Sequence, residues 1–149
     1  MRADIMDAPA RLKEKRLTER VRQKWAQIAQ NRLPSLREME ALNFGDDKGF
    51  LFAVDLRLSD IFPYFVFMGD KLESYSSLYH ADARGEKTLL DSAMSKMDEA
   101  ALNREPVEFS EVKRLQTGQR IAFRSILLPL AENGTDVSHI FGAANGKLL

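Results

Sequence analysis

The sequence predicts an α+β domain: one five-stranded antiparallel sheet with helices on one face and an N-terminal helix packed elsewhere. Three observations lead there. Hydrophobic spacing is helical at first, alternates from Phe50, turns helical again over residues 71–104 and alternates from Val107 onward. Two turn signals, Thr117-Gly118 and Asn133-Gly134, separate the last alternating runs, and Asn-Gly between apolar runs is a strong hairpin signal. The length, 149 residues at 44% hydrophobic, is that of one domain with enough material for a core.

Residues 8–32 read as one helix. Pro9 suits a first turn. Pro34 stops the helix, because the residue before proline avoids the α region. Leu17, Val21, Trp25 and Ile28 form a narrow apolar stripe with basic residues on both flanks, Arg11, Lys13, Lys15, Arg16, Arg20, Arg22 and Lys24. Ser35 and Glu38 form a capping box for a short helix to about Leu42. Residues 43–49 are turn chemistry. Residues 50–58 then alternate as a strand. A second strand covers residues 64–68 after Pro63 and ends on Gly69. Leu90, Met94, Met97 and Ala101 share a helix of residues 88–103, after a break at residues 82–85. Pro106 closes the helices. Three strands follow, over residues 107–115, 119–130 and 136–145. Pro129 fits only an edge or a strand end.

This order divides the chain into a basic amphipathic helix over residues 1–32, a domain over 33–146 and a tail over 147–149. Residues 1–32 hold nine Lys/Arg and four Asp/Glu, so an arm of +5 sits on a body of −5. Such an arm suits a solvated helix, a second copy of the chain or a weak membrane-surface contact. The stripe is too narrow for a strong membrane anchor. Trp25 is the one aromatic residue in the basic stretch, which argues against nucleic acid.

The absences are equally informative. Cysteine is missing, which removes disulfides, thiolate metal sites and a Cys nucleophile. The two histidines, His80 and His139, make no His-rich metal site. No apolar run approaches the roughly 18 residues that span a bilayer, and the charged N-terminus lacks a secretory core. The expectation is a soluble, cytoplasmic protein that is not an enzyme.

Several residues in this order resemble the PAS fold, and more narrowly the divergent PAS-like family common in alphaproteobacteria. Trp25 precedes Leu33-Pro34-Ser35, as in that family's opening helix and turn. Phe50-Leu51-Phe52-Ala53-Val54-Asp55 and Tyr64-Phe65-Val66-Phe67-Met68-Gly69 resemble its first hairpin. Leu127-Leu128-Pro129-Leu130, Asn133-Gly134 and Val137-Ser138-His139-Ile140-Phe141-Gly142 resemble its ending. The likeness covers roughly residues 25–145 and is weakest over residues 75–89, where a PAS pocket wall lies. It implies a strand order of 2-1-5-4-3 and a sensory or interaction module in signal transduction, working through a small ligand, a protein partner or a homodimer. The expectation is that no output domain follows the last strand.

The candidate residues follow. Phe52, Phe67, Met94, Met97, Ile121, Phe123 and His139 are the set expected to line a space between sheet and helices, as an apolar ligand pocket or as plain core. Leu17, Val21, Trp25 and Ile28 are the expected docking stripe, with the Trp25 end on the domain and the Leu17 end in a symmetric dimer. His80, near a helix end, is a haem-ligand candidate by resemblance, set against a partly exposed structural histidine. The sequence requires no cofactor. The neighbouring carboxylates Asp46-Asp47 and Asp98-Glu99 point apart and make poor acid–base pairs. Ser74, Ser76 and Ser77 lack a nucleophile-elbow frame. The small residues 142–146 follow the last strand with no helix behind them to cradle phosphate. The alternative reading is a small enzyme on a cone-shaped α+β fold. It needs a buried Asp or a Tyr-Asp pair, for which Asp55 and Tyr64 are the candidates, although Asp55 falls on the polar side of its strand.

Overall fold

A computed structural model of the chain describes residues 16–81 and 87–149. The expected helix start near Pro9, the flanking Arg11, Lys13 and Lys15, and the break at residues 82–85 lie outside the described residues.

Helix α1 is Leu17–Ile28. It ends four residues earlier than the sequence suggests. Its last carbonyls are closed by the amides of Ala29 and Gln30, and the Leu33 amide already bonds the Gly134 carbonyl, which draws the chain towards the last hairpin. Helix α2 is Leu36–Glu40, and its capping box is present: Glu38 N donates to Ser35 Oγ at 3.2 Å and Ser35 N to Glu38 Oε1 at 3.0 Å. Residues 45–49, expected as a plain turn, and Phe50, expected to open the first strand, form a 3-10 helix (Gly45–Phe50). Strand β1 is Leu51–Asp55 and β2 is Phe65–Met68, both shorter than expected.

Three short helices follow: α3 (Glu73–Ser77), α4 (Leu89–Met94) and α5 (Met97–Asn103). The single helix expected over residues 88–103 is therefore two. Ser95 ends α4 by turning both its amide and its hydroxyl onto the Ser92 carbonyl. The break changes which residues face inward. Leu90, Ala93 and Ala100 are buried, whereas Met94, Met97 and Ala101 are half-buried.

Strands β3 (Val107–Arg114), β4 (Arg120–Leu130) and β5 (His139–Leu148) complete one antiparallel sheet in the order β2-β1-β5-β4-β3. The order is the expected one. Strand β5 runs further than expected, with Lys147 opposite Ala122 and Leu148 opposite Ile121. Residues 142–146, read from sequence as following the last strand, lie inside it.

Both faces of the sheet are covered. Leu51, Ala53, Ile126, Leu128, Leu130, Phe141 and Ala143 meet α1 and α2 on one face. Phe52, Val54, Ile121, Phe123, Leu127, Ile140 and Ala144 meet Leu72, α4 and α5 on the other. Strand β1 is therefore buried at every position, as its apolar run Leu51–Val54 requires. Strand β3 stops pairing at Leu127, so Pro129 lies where β4 has one strand neighbour. Its carbonyl accepts the Trp25 indole N–H at 3.0 Å.

Candidate functional site

The expected pocket residues do not line one space. Phe52, Ile121 and Phe123 join the core beneath α4 and α5, with Met94 and Met97 at its margin. Phe67 and His139 lie on the opposite face. Phe67 pairs with Ala53 and His139 with Asp55, and these odd positions of β1 point away from Phe52 and Val54. The layer under the helices is filled. The Phe52 ring lies across Gly142 so closely that a Cβ there would be 2.1 Å from Cζ. Phe123 meets Tyr75 edge-on at 5.4 Å, and the Tyr75 hydroxyl accepts the Gly146 amide at 3.0 Å.

The stripe of α1 also differs from expectation. Leu17, Val21 and Trp25 are all buried in the first core, and Ile28 packs against it. Leu17 is only 2% exposed, so its own side chain is not available to a second copy. Two residues of the basic flank find partners within the chain. Arg20 grips Asp47 with two hydrogen bonds of 2.8 Å, and Lys24 Nζ lies 5.8 Å from the centre of the Phe44 ring.

An open cleft lies on this first face. A cleft of about 760 Å³ is lined by Met39 of α2 and Leu42 just after it, by Phe44 and the 3-10 helix, and by Phe67, Met68 and Phe141 of the sheet. Local chemistry builds it. The capping box sets the angle of α2, and Phe44 stacks on Phe141 at 5.6 Å while Phe67 meets Phe141 edge-on at 5.9 Å. Gly69 lets the end of β2 touch the 3-10 helix: a Cβ there would sit 2.2 Å from the Gly49 carbonyl oxygen. Glu40, Lys48 and Asp70 supply charge at the wall. Three rings with a charged rim suit a small amphipathic molecule, and the volume lies in the range of ligand pockets. Phe44, a large aromatic in an otherwise polar turn, was the sequence signal for this wall.

A second cluster joins the ends of β1 and β5. Asp55 is 6% exposed. Its carboxylate accepts the Arg57 amide at 2.9 Å and two guanidinium N–H groups at 3.0 Å. Arg57 holds the Asp55 carboxyl below its ordinary value, against the opposing effect of burial. His139, 2% exposed, lies 3.5 Å from Asp55 through Nε2 and 2.8 Å from Ser138 Oγ through Nδ1. Asp55 is thus buried and paired rather than on a polar face. The series Ser138, His139, Asp55 has the residue types of a hydrolytic triad but not its access. Ser138 is itself buried, and its hydroxyl also accepts the Glu132 amide at 3.2 Å. Tyr64 reaches Asp55 only through its backbone carbonyl. The cluster pins the sheet's end and makes a poor acid–base pair for substrate.

His80 is buried, not partly exposed as expected, and its Nε2 is 3.3 Å from Ser92 Oγ. Among the described residues, no group of three or more His, Asp or Glu is placed to hold a metal ion, and no helix is long and apolar enough to cross a membrane. No protein-family model matches the chain and no curated protein matches it, so geometry and sequence carry the functional reading.

Proposed function

We propose that the chain is a PAS-like regulatory module without enzymatic activity, acting in signal transduction through a small apolar or amphipathic ligand and a protein partner. The observation that carries this reading is the strand order β2-β1-β5-β4-β3, with the first and last strands adjacent and the helices of residues 70–103 crossing one face. The ligand sits in the cleft of Phe44, Phe67 and Phe141, on the face covered by α1 and α2, because the layer beneath α4 and α5 is filled. The polar cluster at Asp55 supports a non-enzymatic reading, since its members are spent on one another.

Native mass spectrometry of the purified protein tests the ligand. The expected result is a co-purified small molecule that is lost in Leu42→Arg, whose charge would enter the cleft while the fold stays unchanged by circular dichroism. An intact protein with no bound mass, whose melting temperature no apolar probe raises, would overturn the ligand half of the reading.

A further inference from the structure

The two edges of the sheet are chemically unlike. Strand β3 carries Glu108, Glu111, Lys113 and Arg114 within eight residues, the usual protection of an exposed edge. Strand β2 and the loop before it carry no charge over residues 61–68. Ile61 and Phe62 are 82% and 79% exposed, and Tyr64, Val66 and Met68 are exposed beside them. Among the described residues β2 pairs only with β1, so its outer side stands open.

We propose that this edge is the contact of a symmetric homodimer, in which β2 of one copy lies antiparallel to β2 of the other. Three features select a second copy. Antiparallel pairing of one strand with itself satisfies a two-fold axis and extends the sheet, the outward N–H and C=O groups of each edge bonding those of the other copy. The segment carries no charge over residues 61–68, so pairing it with itself brings no like charges together. The exposed side chains present on the order of 500 Å² per copy, and with the backbone and the flanking turns this approaches the ~800 Å² per partner of a standard interface. The strand is short and bulged opposite Ala53 and Val54, so Ile61 and Phe62 supply more of the contact than the ladder does. The proposal needs no ligand in the cleft, although Met68 belongs to both the edge and the cleft wall.

Light scattering coupled to size exclusion at micromolar concentration is the test, on the full chain and on three variants. The expected result is a dimer for the wild type and for Val112→Lys on the opposite edge. Phe62→Asp and Val66→Lys should be monomers with unchanged circular dichroism. Because Ile61 and Phe62 stand clear of the core, Phe62→Asp keeps the fold intact even where a strand substitution does not. A monomeric wild type, or a Phe62→Asp variant that remains dimeric, overturns the proposal. A monomeric wild type that pellets with phosphatidylcholine vesicles, and loses this in Phe62→Asp, overturns it in favour of a lipid surface.

Discussion

The Phe52 ring packs directly on the backbone of Gly142. A methyl group at Gly142 has nowhere to go but into the ring of Phe52, which is itself fully buried. Gly142→Ala should therefore cost roughly 1–3 kcal/mol in denaturant unfolding, as overpacked cores do. Adding Phe52→Leu should recover part of that loss, a coupling that distant sites do not show. Asp55 gives a second test. Its folded pKa is depressed, first by the Arg57 side chain, so its stabilisation is fully present above about pH 4 and is lost as pH falls through the folded value. Asp55→Asn should be less stable by roughly 1–3 kcal/mol at neutral pH. Its deficit against the wild type should close in acid, measured by urea unfolding at several pH values. A gap that persists at low pH would show that the carboxylate charge is not the source. Glu38 follows the same sign more visibly: the Arg32 guanidinium and then the Ser35 amide draw its carboxyl down to about 2. These two carboxylates differ in how far the sequence discloses them. The Ser35–Glu38 box is local and can be read from spacing. The Asp55–His139 contact depends on the register of strands from opposite ends of the chain, which spacing does not contain.

At the scale of elements, the strands and hairpins were legible because alternation and turn residues are local signals. Asn133 caps its own turn by accepting the amides of Thr135 and Asp136. The split between α4 and α5 was not legible, since apolar spacing runs on through Ser95 and Lys96 and only the Ser95 hydroxyl ends the turn. The destination of α1 was half legible. Its stripe showed that it must dock, and Trp25 pointed to the domain, but the sequence did not show that the domain would cover Leu17 as well. Leu17→Ala should now behave as a core truncation and cost roughly 2–5 kcal/mol in thermal or urea unfolding. An unchanged stability would show that this end of the helix is wet. The pocket set failed in the same way. Phe67 and His139 belong to strands whose inward face is decided by pairing, and a bulge in β2 offsets its parity.

At the scale of the whole molecule, the sheet is a wall with a core on each side. Its centre is made by β1 and β5, so the strands that begin and end the sheet must meet before either core closes. Such non-local pairing slows folding relative to helical bundles of the same size. It also explains why composition alone spoke to size and class but not to place. The apolar residues were countable, yet which of the two cores each one entered was set by strand order. The open cleft and the uncharged edge adjoin through Phe67 and Met68, so β2 contributes to both.

The bond between the Trp25 indole and the Pro129 carbonyl gives the molecule a built-in optical probe. Trp25 is the single tryptophan of the chain, and it sits at the seam where the N-terminal helix meets the sheet. Its emission should be blue-shifted in the native state and move to the red when the helix peels away, while far-ultraviolet circular dichroism follows the sheet. If helix and sheet form one cooperative unit, the two signals should change at the same denaturant concentration. If the red shift comes first, the N-terminal helix is a separable flap with its own lower opening free energy.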